Sequence, residues 1–174
     1  DAALEALELA VTKGQNDKQF FQFLRHRAMA YEKLGRVRPA LEDLNRSNLL
    51  NPKHAPTLQM RARILLSLDR LAEAGNDLTK SIDLDATSAE AWLLLGHLRL
   101  KQSKWADALP ALEEAASLDP ACAETCRLHS ICLDRLGDRR GALRILSTGL
   151  CLLRPDSPEW PPYLRQMRIL RTPR

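Results

Sequence analysis

A period of 34 residues, running through four copies without a gap, constrains this chain more than any other feature. Written from residue 21, the copies are 21–54, 55–88, 89–122 and 123–156. Alanine holds the twentieth position of every copy (Ala40, Ala74, Ala108, Ala142) and leucine the twenty-fourth (Leu44, Leu78, Leu112, Leu146). Leucine recurs at the thirtieth position (Leu50, Leu84, Leu118, Leu152). The eighth is always small (Ala28, Ala62, Gly96, Ser130), as is the twenty-seventh (Ser47, Ser81, Ala115, Gly149). Positions 20, 24 and 27 share one face of a helix. Small side chains at 8 and 20 therefore mark where two helices cross closely, and the leucine at 24 fills the space beside the alanine. Each unit leaves an apolar face open, so its stability is expected to come from stacking on its neighbours.

The punctuation between the periodic segments agrees. Asn51-Pro52 and Asp119-Pro120 close second helices, and Arg154-Pro155 does so one residue late. Gly35 and Gly137 supply turns that need positive φ after a helix end. Pro39 and Pro110 are expected in the first turn of second helices, where a missing N–H has no partner to lose. Leucine and alanine dominate while aromatic residues make up 5%, a bias towards helix. No stretch approaches the about 18 apolar residues of a membrane span, and no basic-then-apolar leader opens the chain. The chain starts at Asp1, as a piece of a longer protein would. Cys122, Cys126, Cys132 and Cys151 show no disulfide framework. Reduced thiols in an intracellular, cytoplasmic setting are expected.

The third copy carries Trp92, Leu95, Gly96, Ala108, Ala115 and Pro120 at set offsets, with Trp105 at the turn. This pattern resembles the tetratricopeptide repeat family. Departures stand at the seventh position (Arg27, Arg61, His129, for leucine), at Arg99 where Tyr31 keeps the family's tyrosine, at the Asp69-Arg70 turn without glycine, and at Ala86 for proline. The resemblance implies an all-α, right-handed superhelical solenoid of antiparallel helix pairs. Residues 1–20 then form an N-terminal helix, a partial repeat or cap, with the helical pattern over 1–13 and a break at Gly14. Residues 157–174 form a C-terminal capping helix through Trp160, Tyr163, Leu164, Met167 and Leu170, with a docking helix for a partner as the other reading. Arg168, Arg171 and Arg174 are expected as a frayed, solvated tail.

Motifs of catalysis are not found: there is no glycine-rich phosphate loop, no HExxH and no GxSxG. Cys122, Cys126 and His129 fall at i, i+4 and i+7, with Cys132 beyond, a spacing that could hold zinc. Cys126 and His129 also occupy repeat positions that face neighbouring helices, and buried cysteine is a good small core residue. No metal, no cofactor and no enzymatic role are expected. His54 is expected to be exposed in its turn. Net charge is +4, with basic residues towards both ends of the array and an acidic middle. A nucleic-acid binder needs one continuous basic face with aromatic platforms, so nucleic acid is not an expected ligand.

The resemblance also implies that first helices line a concave groove through positions 2, 5, 6, 9, 12 and 13. Mapped onto this sequence, the candidate residues are Arg25, His26 and Met29; Gln59, Met60 and Arg63; Leu93, Leu94 and His97; and Arg127, Leu128 and Ile131. Leu93, Leu94, Leu128 and Ile131 are expected to form an apolar patch that the core does not need, flanked by basic groups. The expected partner is a protein or peptide segment with apolar and acidic residues, bound by an adaptor. The alternative is a structural scaffold or a self-association element of a larger protein. One subset of the family clamps the C-terminal carboxylate of heat-shock chaperones. It uses Lys and Asn at positions 5 and 9, Asn at 6 of the next repeat, then Lys and Arg at 2 and 6. In the two registers this chain offers Arg25, Met29, Met60, Glu90 and Leu94, or Gln59, Arg63, Leu94, Glu124 and Leu128. Neither makes the clamp, so no chaperone-tail binding is expected.

Overall fold

The computed structural model describes residues 5, 9, 20–154, 157, 158 and 160–172 of the chain. The expected helix over 1–13 lies outside the described residues, apart from the helical Glu5 and Leu9. The chain divides into two compact units, Asp1–Ala86 and Thr87–Arg174. In the first, α1 (Phe20–Lys33) pairs with α2 (Val37–Leu50), and α3 (Ala55–Ser67) with α4 (Leu71–Leu84); α2 also packs on α3. In the second, α5 (Ala89–Lys101) pairs with α6 (Trp105–Leu118), and α7 (Ala123–Arg135) with α8 (Arg139–Leu152). There α6 packs on α7, and α9 (Trp160–Arg171) lies on α8 and α7. Among the described residues there is no strand, so each unit is an all-α stack of helix pairs.

The periodic positions divide the work of packing. All four alanines at position 20 and all four leucines at position 24 are 0% exposed. Positions 8 and 27 are buried in every copy as well. At Gly96 the crossing is so tight that a Cβ would fall 2.6 Å from the Leu112 side chain one helix away. The leucines at position 30 behave differently: Leu50, Leu84, Leu118 and Leu152 are all exposed at the ends of their helices. They do not belong to the stack, although their recurrence suggested it.

Each turn between paired helices repeats one geometry. The amide of the sixteenth position bonds the carbonyl of the eleventh at 2.8–2.9 Å in all four copies (Arg36 to Tyr31, Arg70 to Leu65, Lys104 to Arg99, Asp138 to Leu133). This closes the first helix in a Schellman-type turn, which requires a left-handed residue just before the donor. Gly35 and Gly137 supply it at φ 70° and 93°, while Asp69 and Ser103 are held there at 60° and 58°. Two expectations about punctuation are corrected. Pro110 is not in a first turn, because α6 already starts at Trp105; the proline sits inside the helix, on its exposed side. His54 is not a free turn residue. Its Nδ1 accepts the Thr57 amide at 3.3 Å as the N-cap of α3, and its ring lies edge-on to Phe21 at 5.1 Å.

Two polar devices lock the pairs. At position 27 the hydroxyls of Ser47 and Ser81 donate to the first-position carbonyls of their own repeats, Phe21 at 2.8 Å and Ala55 at 3.4 Å. Gly149 holds that position in the fourth repeat, and a Cβ there would overlap the Tyr163 ring and the Cys126 side chain. Tyr163 of α9 enters this socket and donates its hydroxyl to the Ala123 carbonyl, the equivalent first position. A phenol from the last helix thus replaces a serine of the repeat. Arg139 then fastens the far end of α9 by donating to the carbonyls of Leu170 at 2.6 Å, Ile169 at 2.9 Å and Thr172. The expected frayed tail is therefore corrected: Arg168 and Arg171 are helical residues of α9, and Arg174 lies outside the described residues.

The second device explains a departure from the family pattern. Arg27 and Arg61, at position 7, each make two hydrogen bonds to a carboxylate at position 23, Asp43 (2.6 and 2.7 Å) and Asp77 (2.6 and 2.6 Å). The aspartate side chains are 4% and 3% exposed. An unpaired carboxylate could not be buried so deeply, and the forked geometry satisfies both of its oxygens. The third repeat fills the same two positions with Leu95 and Ala111, the fourth with His129 and Ile145.

Candidate functional site

The twelve groove candidates separate by burial. His26 is exposed, and Arg25, Met29, Arg63, Leu93, His97, Arg127 and Ile131 are half-buried. Gln59, Met60, Leu94 and Leu128 are buried. The expected apolar patch is thus corrected. Leu128, 4% exposed, belongs to a core cluster with Leu100, Ala108, Leu112 and Cys132, and Leu94 is 7% exposed. Leu93 and Ile131 keep part of their surface open while packing against that cluster. The physical reason is that a first helix touches both its own second helix and the flanking pair. In the second, third and fourth repeats its buried stripe therefore widens to take in position 6 (Met60, Leu94, Leu128), while His26 in the first stays exposed and position 9 lies at the edge in all four. Gln59 is drawn inward by a hydrogen bond to Ser81 Oγ at 3.0 Å.

Charge on these faces is largely balanced from within. Arg63 of α3 makes two bonds to Glu32 of α1, at 2.9 and 3.0 Å. Arg127 does the same with Glu124, one turn earlier in α7, at 2.7 and 2.6 Å. Both pairs are partly solvated and hold their side chains in place more than they stabilise the fold. Arg25 is different. Its Nη2 meets His26 Nε2 at 2.8 Å, but its Nε is buried with no hydrogen-bond partner.

The histidines on these faces are neutral near pH 7. Burial lowers the pKa of His97 below its ordinary value; Glu124 pulls it up, and Lys101 and Arg127 push it down. His26 is likewise lowered, by burial and then by the Arg25 charge. Each offers one donor and one acceptor rather than a positive charge.

Cys126, Cys132 and His129 are placed as packing residues, while Cys122 is the N-cap of α7 and Cys151 is exposed. Cys132 is fully buried and its thiol faces the Trp105 carbonyl at 3.1 Å. Burial raises the pKa of Cys126 and lowers that of His129. Among the described residues no three His, Cys, Asp or Glu side chains converge as a metal site. None of the described helices is long and apolar enough to cross a membrane.

Sequence reasoning missed one concavity. Beside Leu95 and Ala111, where the first unit holds its arginine–aspartate pairs, a cavity of about 490 Å³ opens between α5 and α6. Trp92 and Pro110 form apolar walls, with Asp107 and Glu114 at its edge. The signal was present in the paired substitution at positions 7 and 23, but each position reads alone as an ordinary exchange.

Comparison with known proteins follows the same pattern. The family described as tetratricopeptide repeat matches residues 55–88 and 89–122. A DnaJ homolog subfamily C member 7 homolog from Dictyostelium discoideum is 30% identical over 128 residues, which is 72% of this chain and 22% of that protein. The chain thus spans about a fifth of that relative's length. A thermophilic TPR protein in Thermus thermophilus superposes with a TM-score of 0.79 at 20% identity, covering 97% of this chain and 90% of that one. The first TPR of Spaghetti (RPAP3), solved bound to the HSP90 peptide SRMEEVD, gives 0.66 at 21% identity over 70% of this chain and 96% of that chain.

Proposed function

We propose that this chain, two of whose repeats match the tetratricopeptide repeat family, is a protein-interaction adaptor that holds a segment of another protein on its first-helix faces. Binding rather than catalysis is its role in this reading, and an intracellular, cytoplasmic setting belongs to it. The observation that carries the reading is the half-open set Leu93, His97, Arg127 and Ile131, presented by two first helices, α5 and α7, that pack against each other. Aliphatic side chains with one neutral imidazole and one internally balanced arginine suit a segment with apolar anchors. In the first unit, the half-buried Arg25 and Met29 offer a guanidinium and an apolar side chain one helical turn apart, which suits a segment carrying a carboxylate beside an apolar anchor. The clamp for a chaperone tail is not part of this reading, because Met29, Met60 and Glu90 stand where that clamp places its polar and basic groups.

The test is capture of partners by the full chain and by two double variants, His97→Ala with Arg127→Ala, and Arg25→Ala with Met29→Ala. All four side chains are partly open, so the variants should keep the wild-type melting curve. Loss of specific partners from either variant supports the adaptor. An unchanged set of captured proteins, together with self-association in sedimentation, would replace it with the scaffold reading. Sub-micromolar binding of a chaperone C-terminal peptide would overturn the exclusion of the clamp.

A further inference from the structure

Each of the four first helices, α1, α3, α5 and α7, is covered by a second helix; α9 has none among the described residues. Tyr163 fixes where α9 stands in the repeat scheme. Thr57, at a third position, lies against Ser47 at position 27, with their hydroxyls 3.4 Å apart. Tyr163 meets the equivalent Gly149 and so stands at a third position itself. Leu164 then falls on a fourth position and Arg168 on an eighth. In the first unit, fourth- and eighth-position residues (Leu24, Ala28, Leu58, Ala62) are all fully or almost fully buried. In α9 the same face is open, and Leu164 is 51% exposed.

Leu164, Met167, Arg168 and Arg171 recur at i, i+3, i+4 and i+7 and, with Thr172, line a depression of about 430 Å³. The helix carries no acidic residue. Arg165, Arg168 and Arg171 are exposed and make no ion pair with a described residue. We propose that this open face of α9 docks an amphipathic helix of a partner protein, with carboxylates opposite Arg168 and Arg171 and apolar side chains against Leu164 and Met167.

Three features select that occupant. A further repeat's own second helix needs a small residue at the eighth position to come close, and arginine stands there instead. A second copy of α9 would set arginines against arginines, which repel. Nucleic acid would take the charge but leave the aliphatic ridge unused, and the face offers no exposed aromatic platform for bases.

The test uses the full chain and a fluorescein-labelled synthetic helix of about four turns, with leucines along one face and glutamates flanking them. Its lysine-for-glutamate counterpart is the control. Fluorescence anisotropy should show binding of the acidic helix only. Arg168→Glu with Arg171→Glu should weaken it by at least about tenfold and admit the lysine helix instead, and Leu164→Ser should weaken it as well. His97→Ala with Arg127→Ala should leave it unchanged, which separates this face from the groove. If the double charge reversal lowers the melting temperature, Arg168→Ala with Arg171→Ala takes its place. Acidic-helix binding that ignores the α9 variants overturns the proposal. So does displacement by a single-stranded RNA that itself depends on Arg168 and Arg171, or α9-dependent self-association in sedimentation.

Discussion

At the fifteenth position of each repeat the backbone must turn left-handed, and four residues meet that demand at different expense. Gly35 and Gly137 meet it freely; Asp69 belongs to a type that tolerates the conformation; Ser103 is held there against its preference. Ser103→Gly is expected to stabilise the protein by about 1 kcal/mol, read as a higher urea midpoint at unchanged slope. Buried apolar residues make the opposite case. Leu94, 7% exposed, cannot take a charge. Leu94→Glu is expected to cost more than about 3 kcal/mol, because an unpaired carboxylate would lie among packed side chains. A melt showing the variant as stable as the wild type would return Leu94 to the solvent face. The small positions and the leucine at position 24 were legible in the sequence because one side chain at a time decides them, whereas the equally recurrent leucine at position 30 proved to be exposed. Position 6 was not legible, because its burial depends on how broadly a first helix is covered, and periodicity cannot report that.

Between elements, the repeats treat the space between positions 7 and 23 in two ways. The first unit uses a forked ion pair, and the third repeat uses Leu95 with Ala111. Breaking the pair at one end should be worse than removing it. Asp43→Ala leaves the Arg27 guanidinium without its carboxylate and is expected to destabilise by about 3–5 kcal/mol. The double variant Arg27→Leu with Asp43→Ala copies the third repeat and should recover most of that loss in denaturant melts. Equal loss in the single and double variants would show that the pair itself, not the orphaned charge, sets the stability. In the sequence, Arg27 and Arg61 read only as departures from the family pattern. Their partners stand 16 residues on, in the next helix, and only the recurrence of the same coupling in two copies could have shown it.

At the scale of the whole molecule the four histidines act in one direction. His26, His54, His97 and His129 all have lowered pKa values, burial being the first cause in each. The unfolded chain therefore binds protons more readily than the folded one as pH falls through about 6.5, and stability rises with pH across that range. Thermal melts are expected to fall steadily from pH 7 to pH 5, and His97→Gln with His129→Gln should flatten the slope. A flat profile in the wild type would mean that burial does not govern these rings.

The socket at Gly149 has a consequence for how such arrays change length. The other three repeats end in a serine or alanine face that the same packing rules can extend. The fourth ends in a hole shaped for one tyrosine, with an arginine, Arg139, gripping the far end of the inserted helix. A duplicated repeat placed after it would meet a face already committed to a different shape. A repeat inserted between the fourth and α9 would have to bring its own tyrosine to fill that hole, whereas a copy inserted upstream of Ala123 needs no such exchange.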